Sequence, residues 1–285
     1  MTEVVVYATL SRASTVRTLL VSACAAVGTT ARLELFGSGS LFQRLRTRRS
    51  PPPPDLVLWF GPYAAHAAAQ AELLQPYQPR SLPARAQHDA GWRWVAVEFQ
   101  PFHVTGEPPV ATLDDLAKIP RLAVADPERS EVGLAAVLAV LDRARQLQGD
   151  ELAGWTWWQR RVQSGVLLAD DDASALVSQS EGGASHALTL QVGAARLAGL
   201  APLPHAIGLA TNARNVDAAR QVLDWLVGRE ALAPSGLSAW QADANGLAAL
   251  LDAAPPLDVE WATGQYTAVR RRWAEAGFGP VLGTG

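Results

Sequence analysis

The chain is poor in cysteine, lysine and tyrosine, and it has no long apolar run. A single cysteine, Cys24, excludes an internal disulfide and a thiolate metal cluster. Cys24 falls on an apolar helical stripe, where a thiol acts as a small buried hydrophobe. Lys118 is the only lysine, and no tyrosine occurs from 78 to 265. Charge is nearly balanced, 24 Lys plus Arg against 27 Asp plus Glu, for a net −3. That speaks against a nucleic-acid partner, which calls for a basic surface. No segment reaches the roughly 18–20 apolar residues of a membrane span. "MTEVVVYATL" enters a strand pattern with no basic segment or cleavage site before it. The chain as written is therefore either a trimmed, exported protein or one that stays in the cytoplasm. P-loop, G-x-S-x-G and G-x-G-x-x-G fingerprints are missing. The histidines at 66, 88, 103, 186 and 205 lack metal-ligand spacing. Nothing in the pattern calls for catalysis, a resident metal or a cofactor.

What is present is a regular alternation. At 285 residues and 49% hydrophobic composition the chain suits one or two globular domains. Residues 3–9, "EVVVYAT", are a β-branched run fit for a buried parallel strand. Val16, Leu19, Leu20, Ala23, Cys24 and Val27 then repeat at helical spacing, stopped by Gly28. "TARLELF" predicts a second strand, "DLVLWF" after the proline run at 51–54 a third, and "PYAAHAAAQAELL" a helix opened by proline. Strand–helix repetition with short connections predicts an α/β class and a parallel sheet covered on both faces. Ligands of such sheets bind beyond the carboxyl ends of the strands.

The middle of the chain predicts a second α/β lobe inserted into the first. It reads as an extended stretch at 92–104, a strand at 121–126, helices at 130–148 and 151–165, and a short strand at 185–190. "PHAIGLAT" leads back and "NVDAARQVLDWLVG" is an amphipathic helix. The C-terminal segment reads as helices packing on the first lobe.

Several stretches carry chemistry. In "ELFGSGSLFQRL", Ser38 and Ser40 flank Gly39 where a helix begins. Serines there accept from first-turn N–H groups, and the helix dipole makes the same place a ready anion pocket. An ordinary capped turn has the same composition. "DPERSEVG" offers Ser130 as the cap of a second helix and Arg129 as a two-pronged oxyanion grip. Glu131 opposes that grip, and a solvent-facing arginine is the plain alternative. Trp59, Phe60, Trp92 and Trp94 suit either an aromatic wall or core packing, and "WTWW" at 155–158 suits packing. "ADDDAS" at 169–174 suits helix capping better than metal binding, because three consecutive carboxylates diverge.

Taken in order, "VVVYATLS", "LELFGSGSLFQRLR", "PDLVLWFGPYAAHAAAQAELLQPY", "TLDDLAKIPRLAVADPERSEVGLAAVLAVL" and "NVDAARQVLDWLVG" resemble the extracellular solute-binding proteins of ABC importers. The likeness is to the type II branch holding ferric-ion, phosphonate and thiamine binders. It implies a type II periplasmic-binding-protein fold, two α/β lobes joined by a hinge. Residues 1–100 plus 205–285 would form lobe 1, with 101–204 inserted as lobe 2. It further implies a non-enzyme that closes on a small anionic solute and hands it to a membrane permease, acting as a monomer outside the cytoplasm if a signal has been trimmed. The implied contacts are Thr9, Ser38, Gly39, Ser40 and Trp59 from lobe 1, and Arg129, Ser130 and Gln191 from lobe 2. The hinge strands would lie near 97–104 and 203–208. One departure is sharp. Ferric binders place adjacent tyrosines where this chain has Leu190, Gln191 and Val192. Phenolate-held iron is therefore not expected, whereas a phosphonate, a phosphate ester or a carboxylate-chelated iron is. A degenerate paralogue, a sensory domain and an iron binder with other ligands remain alternatives.

Overall fold

The computed structural model describes residues 2–9, 13–47, 52–59, 61–80, 82, 87–190, 195–228 and 257–276. Chain order is β1 (Glu3–Thr9), α1 (Ala13–Val27), β2 (Thr30–Phe36), α2 (Ser38–Thr47), β3 (Leu56–Trp59), α3 (Tyr63–Gln70), β4 (Leu74–Gln75) and β5 (Val95–Gln100). There follow β6 (His103–Gly106), α4 (Leu113–Leu116), β7 (Leu122–Ala125), α5 (Glu131–Gln148), α6 (Leu152–Gln163), β8 (Val166–Ala169), α7 (Asp172–Ser180), β9 (His186–Thr189) and β10 (Ala195–Arg196). The described chain ends with β11 (Leu203–Ala210), α8 (Val216–Val227) and α9 (Val259–Glu275). Among the described residues no helix is long and apolar enough to cross a membrane.

Contacts divide the chain into two compact units. Unit 1 is Met1–Phe99 with Pro204–Ala248, and unit 2 is Gln100–Leu203 with Ala249–Gly285. In unit 1 the strands run β2-β1-β3-β11-β4, with β5 beside β11. β1 is parallel to both β2 and β3, while β11 is antiparallel to β3. The β-branched opening run thus forms the strand between two parallel neighbours, as its composition requires. Alternate residues face opposite ways. Val4, Val6 and Ala8 join Leu20, Cys24, Val222 and Leu226 in one buried cluster, so α1 and α8 cover that face. Burial pushes the Cys24 thiol above its ordinary pKa, which keeps it protonated and inert.

Unit 2 orders its strands β10-β6-β9-β7-β8. β7 is parallel to β8 and β9, and β6 is antiparallel to β9. The extended stretch expected at 92–104 is in fact two strands in two sheets. Pro101 separates them, because a residue without an N–H cannot continue a ladder.

The C-terminal helix departs from expectation. The sequence places residues 205–285 in the first lobe, but α9 packs on α5 and α6 within unit 2. Trp273 is fully buried there, its ring 5.4 Å from that of Trp158 at 79°. At the other end of α9, Arg145 donates to Asp142 at 2.8 Å and to Asp258 at 2.7 Å. Trp155 and Trp158 are likewise buried, so the tryptophan cluster is core.

Candidate functional site

In unit 1 the expected contacts fall at the carboxyl ends of β1, β2 and β3. Thr9 closes β1 opposite Phe36 and is buried. The carbonyl of Gly37 accepts from the Leu41 N–H at 2.9 Å, so Gly37 takes the capping position of α2. Ser38 is then the first helical residue and Ser40 the third, one step further along than a pair of capping serines would stand. Glycine itself has no side chain to bond the orphan N–H groups of the first turn, where the helix dipole is positive. Ser40 is exposed. The side chains of Ser38 and Trp59 lie outside the described residues, as does Gln191 altogether.

Beside this helix start is an open groove of about 670 Å³, lined by Gly37, Ser40, Gln43 and Arg44 among others. Arg44 is the residue that sequence reasoning missed, although its spacing of four from Ser40 puts both on one helix face. Its guanidinium carbon lies 4.5 Å from the centre of the Phe36 ring. Phe36 in turn meets Tyr7 edge-on, with ring centres 4.8 Å apart. Burial, then the Glu34 carboxylate, pushes the Tyr7 phenol up, so it stays a neutral wall. A cation, a hydroxyl and a helix N-terminus thus meet on one groove, which is chemistry for an anion.

Unit 2 gathers the carboxyl ends of β7, β8 and β9. Ser130 caps α5, its hydroxyl oxygen accepting from the N–H groups of Val132 at 3.2 Å and Gly133 at 3.5 Å. A hydroxyl that accepts twice still has its own proton to donate. Gly133 is forced by packing, since a Cβ there would overlap the Ala125 carbonyl oxygen and lie 2.9 Å from the Asp126 carbonyl carbon. Arg129 is brought beside Ser130, as its spacing requires, yet it already has partners. Its Nη1 donates to Asp170 Oδ1, and its Nε lies 3.8 Å from Asp126.

The three aspartates of "ADDDAS" do three different things. Asp170 pairs with Arg129, Asp171 caps α7 by accepting from the Ser174 N–H at 2.8 Å, and Asp172 accepts from the Leu190 N–H at 3.3 Å. The Ser174 N–H holds the Asp171 carboxyl below its ordinary pKa. Among the described residues no group of three His, Cys, Asp or Glu side chains gathers as a metal site. Of the aromatic candidates, Trp94 is buried, and Trp92 stacks on His88 with ring centres 3.6 Å apart.

No protein-family model matches the chain, and no curated protein matches its sequence. Solved structures do match its fold. One is the apo ferric ion-binding protein A of Pasteurella haemolytica, at a TM-score of 0.78 and 13% identity over 99% of this chain and 100% of that one. Another is the periplasmic binding protein AfuA from Actinobacillus pleuropneumoniae, bound to fructose-6-phosphate, at 0.75 and 16% over 96% and 98%. A third is the substrate-binding protein of an ABC transporter from Agrobacterium tumefaciens, at 0.75 and 17% over 96% and 94%. The fold is therefore that of the type II periplasmic binding proteins, the class expected from the order of the segments.

Proposed function

We propose that the protein is the substrate-binding component of an ABC importer, capturing a small anionic solute outside the cytoplasm and delivering it to a membrane permease. One observation carries the reading: α2 opens at the carboxyl edge of a parallel sheet with no capping side chain at Gly37, and Ser40 and Arg44 stand on the same groove. In unit 2, the N-terminus of α5 adds the favourable end of its dipole, although its Val132 and Gly133 N–H groups already donate to Ser130. The solved structure of AfuA, with its fructose-6-phosphate, supports a phosphate ester as the first ligand class to test. Phosphonates and carboxylate-chelated iron share the charge, and the expected capture motion is hinge closure.

The test is a thermal-shift screen of sugar phosphates, phosphonates, inorganic oxyanions, ferric citrate and thiamine. A solute at 100 times its dissociation constant stabilises the folded state by about 2.7 kcal/mol. That shifts the melting point of a chain this size by several degrees. A phosphorylated hit lost in Ser40→Ala and Arg44→Ala, and accompanied by compaction in solution scattering, is the expected result. A hit indifferent to both substitutions sinks the assignment of the groove.

A further inference from the structure

Unit 1 has a second concavity that the solute site does not use. It lies on the α2 face of the sheet toward the start of β3, between α2, the Pro53–Pro54 segment and the turn after β11, and encloses about 360 Å³. That is the low end of volumes that hold small ligands. Arg44 enters it from α2, and Arg214 and Asn212 enter it from the turn. No acidic side chain lines it among the described residues. Leu45, Leu73 and the two prolines add apolar wall to the lining.

Its frame is fixed before any ligand arrives. On the floor, the Tyr7 hydroxyl donates to the Pro52 carbonyl at 2.9 Å. At the head of the turn, Thr211 donates its N–H to Leu73 at 3.0 Å and its hydroxyl to the Glu72 carbonyl at 2.8 Å. At its foot, Arg214 donates its backbone N–H to buried Asp55 at 2.7 Å, which leaves the guanidinium to project from an anchored backbone. The negative charge of Asp55 is already engaged by four N–H groups, those of Val5, Arg214, Asn215 and the Asn215 amide. A cavity lined by cationic and amide donors together with apolar carbon, on a hydrogen-bonded frame, fits an anion that carries an apolar body. Preorganisation of this kind lowers the ordering cost of binding.

We propose that this cavity is a second binding site, taking a small organic anion, a carboxylate or phosphate monoester on an aromatic or short aliphatic body. It does not rest on the transport reading. Arg44 borders both concavities, so the distinguishing residues are Arg214 and Asn212, which the solute groove does not contain.

The experiment is calorimetric titration of the whole chain with phenyl phosphate, benzoate and inorganic phosphate. It is repeated on Arg214→Glu and on Asn212→Asp, each checked for an unchanged melting point without probe. The expected result is saturable binding of phenyl phosphate and benzoate, tighter than that of inorganic phosphate, and weakened at least tenfold in both variants. Should Arg214→Glu fail to fold, Arg214→Gln takes its place with the same expectation. Equal affinity for phenyl phosphate and inorganic phosphate overturns the role of the apolar wall, and with it the proposal. So does binding that neither variant disturbs, or no binding of either organic probe at millimolar concentration. Solute binding lost in Ser40→Ala but intact in Arg214→Glu separates this cavity from the transport groove.

Discussion

Asn215 and Asp55 are 160 positions apart, yet the Asn215 N–H donates to Asp55 Oδ1 at 2.8 Å while its side-chain amide donates to Oδ2 at 3.2 Å. The same carboxylate accepts from Val5 in β1 at 2.9 Å and is fully buried. It therefore ties β1 to the start of α8. Asp55→Ala leaves several buried N–H groups without an acceptor, at about 1–3 kcal/mol each and not additively. The expected loss in urea unfolding is about 4 kcal/mol, among the largest a single substitution causes. Asp55→Asn keeps one acceptor oxygen and loses less. Equal stability of Asp55→Ala and the parent would show that the tie is dispensable.

The start of α5 separates packing from capping. Gly133→Ala drives a methyl group into the end of β7 and costs about 2–3 kcal/mol as overpacking against backbone. Ser130→Ala removes only the cap, about 1 kcal/mol, and Ser130→Thr restores most of it. Guanidinium unfolding of the three variants reads the order directly, and Ser130→Ala proving the worst would reverse the assignment.

Acid should loosen unit 1 through Asp89. Burial alone would raise its pKa, but the Arg93 guanidinium and the N–H groups of Trp94 and Arg93 outweigh it and hold the carboxyl below its ordinary value. An unfolded aspartate titrates near about 3.9. The contribution of Asp89 is therefore complete above that pH and disappears as pH falls through the lower folded-state value. Asp89→Asn should be less stable at neutral pH and show a flatter acid limb. Parallel pH–stability curves for the two proteins would remove Asp89 from the account.

The placement of α9 can be checked through Trp273. Trp273→Ala should cost about 3–5 kcal/mol, as for a fully buried large side chain. Amide hydrogen exchange should quicken in α5 and α6 while that of β1 and α8 stays slow. Quickening confined to β1 and α8 would return the helix to unit 1.

How much of this was legible follows from what each signal encodes. The β-branched opening strand is a local statement about backbone and forms where composition puts it, whereas the Gly-Ser-Gly-Ser run enters its helix one step early, with Gly37 rather than a serine at the cap. Ser130 as a cap and the divergence of Asp170, Asp171 and Asp172 are also local, and the geometry bears them out. The partner of α9 was not legible, because an amphipathic helix states which face it buries and not against what. Arg44 escaped notice because Phe36, which positions it, sits in another element. Pro101 is the signal that separates β5 from β6 in a run that otherwise reads as one strand. Asp170 lies 41 positions from Arg129, and no pattern in the chain announces that contact.

That last contact has a consequence for any solute gripped by Arg129. Asp170 is already paired with the Arg129 guanidinium, so under the proposed function an oxyanion taken by Arg129 would meet a competitor carried in the chain. The pair is exposed on both sides, which keeps it weak and sensitive to salt. On that reading a solute would have to displace a monoanionic carboxylate, which a doubly charged phosphate would do more readily than an acetate-like group. Selectivity would then arise from a rival ligand carried in the chain itself, and ionic strength would set how firmly that rival is held.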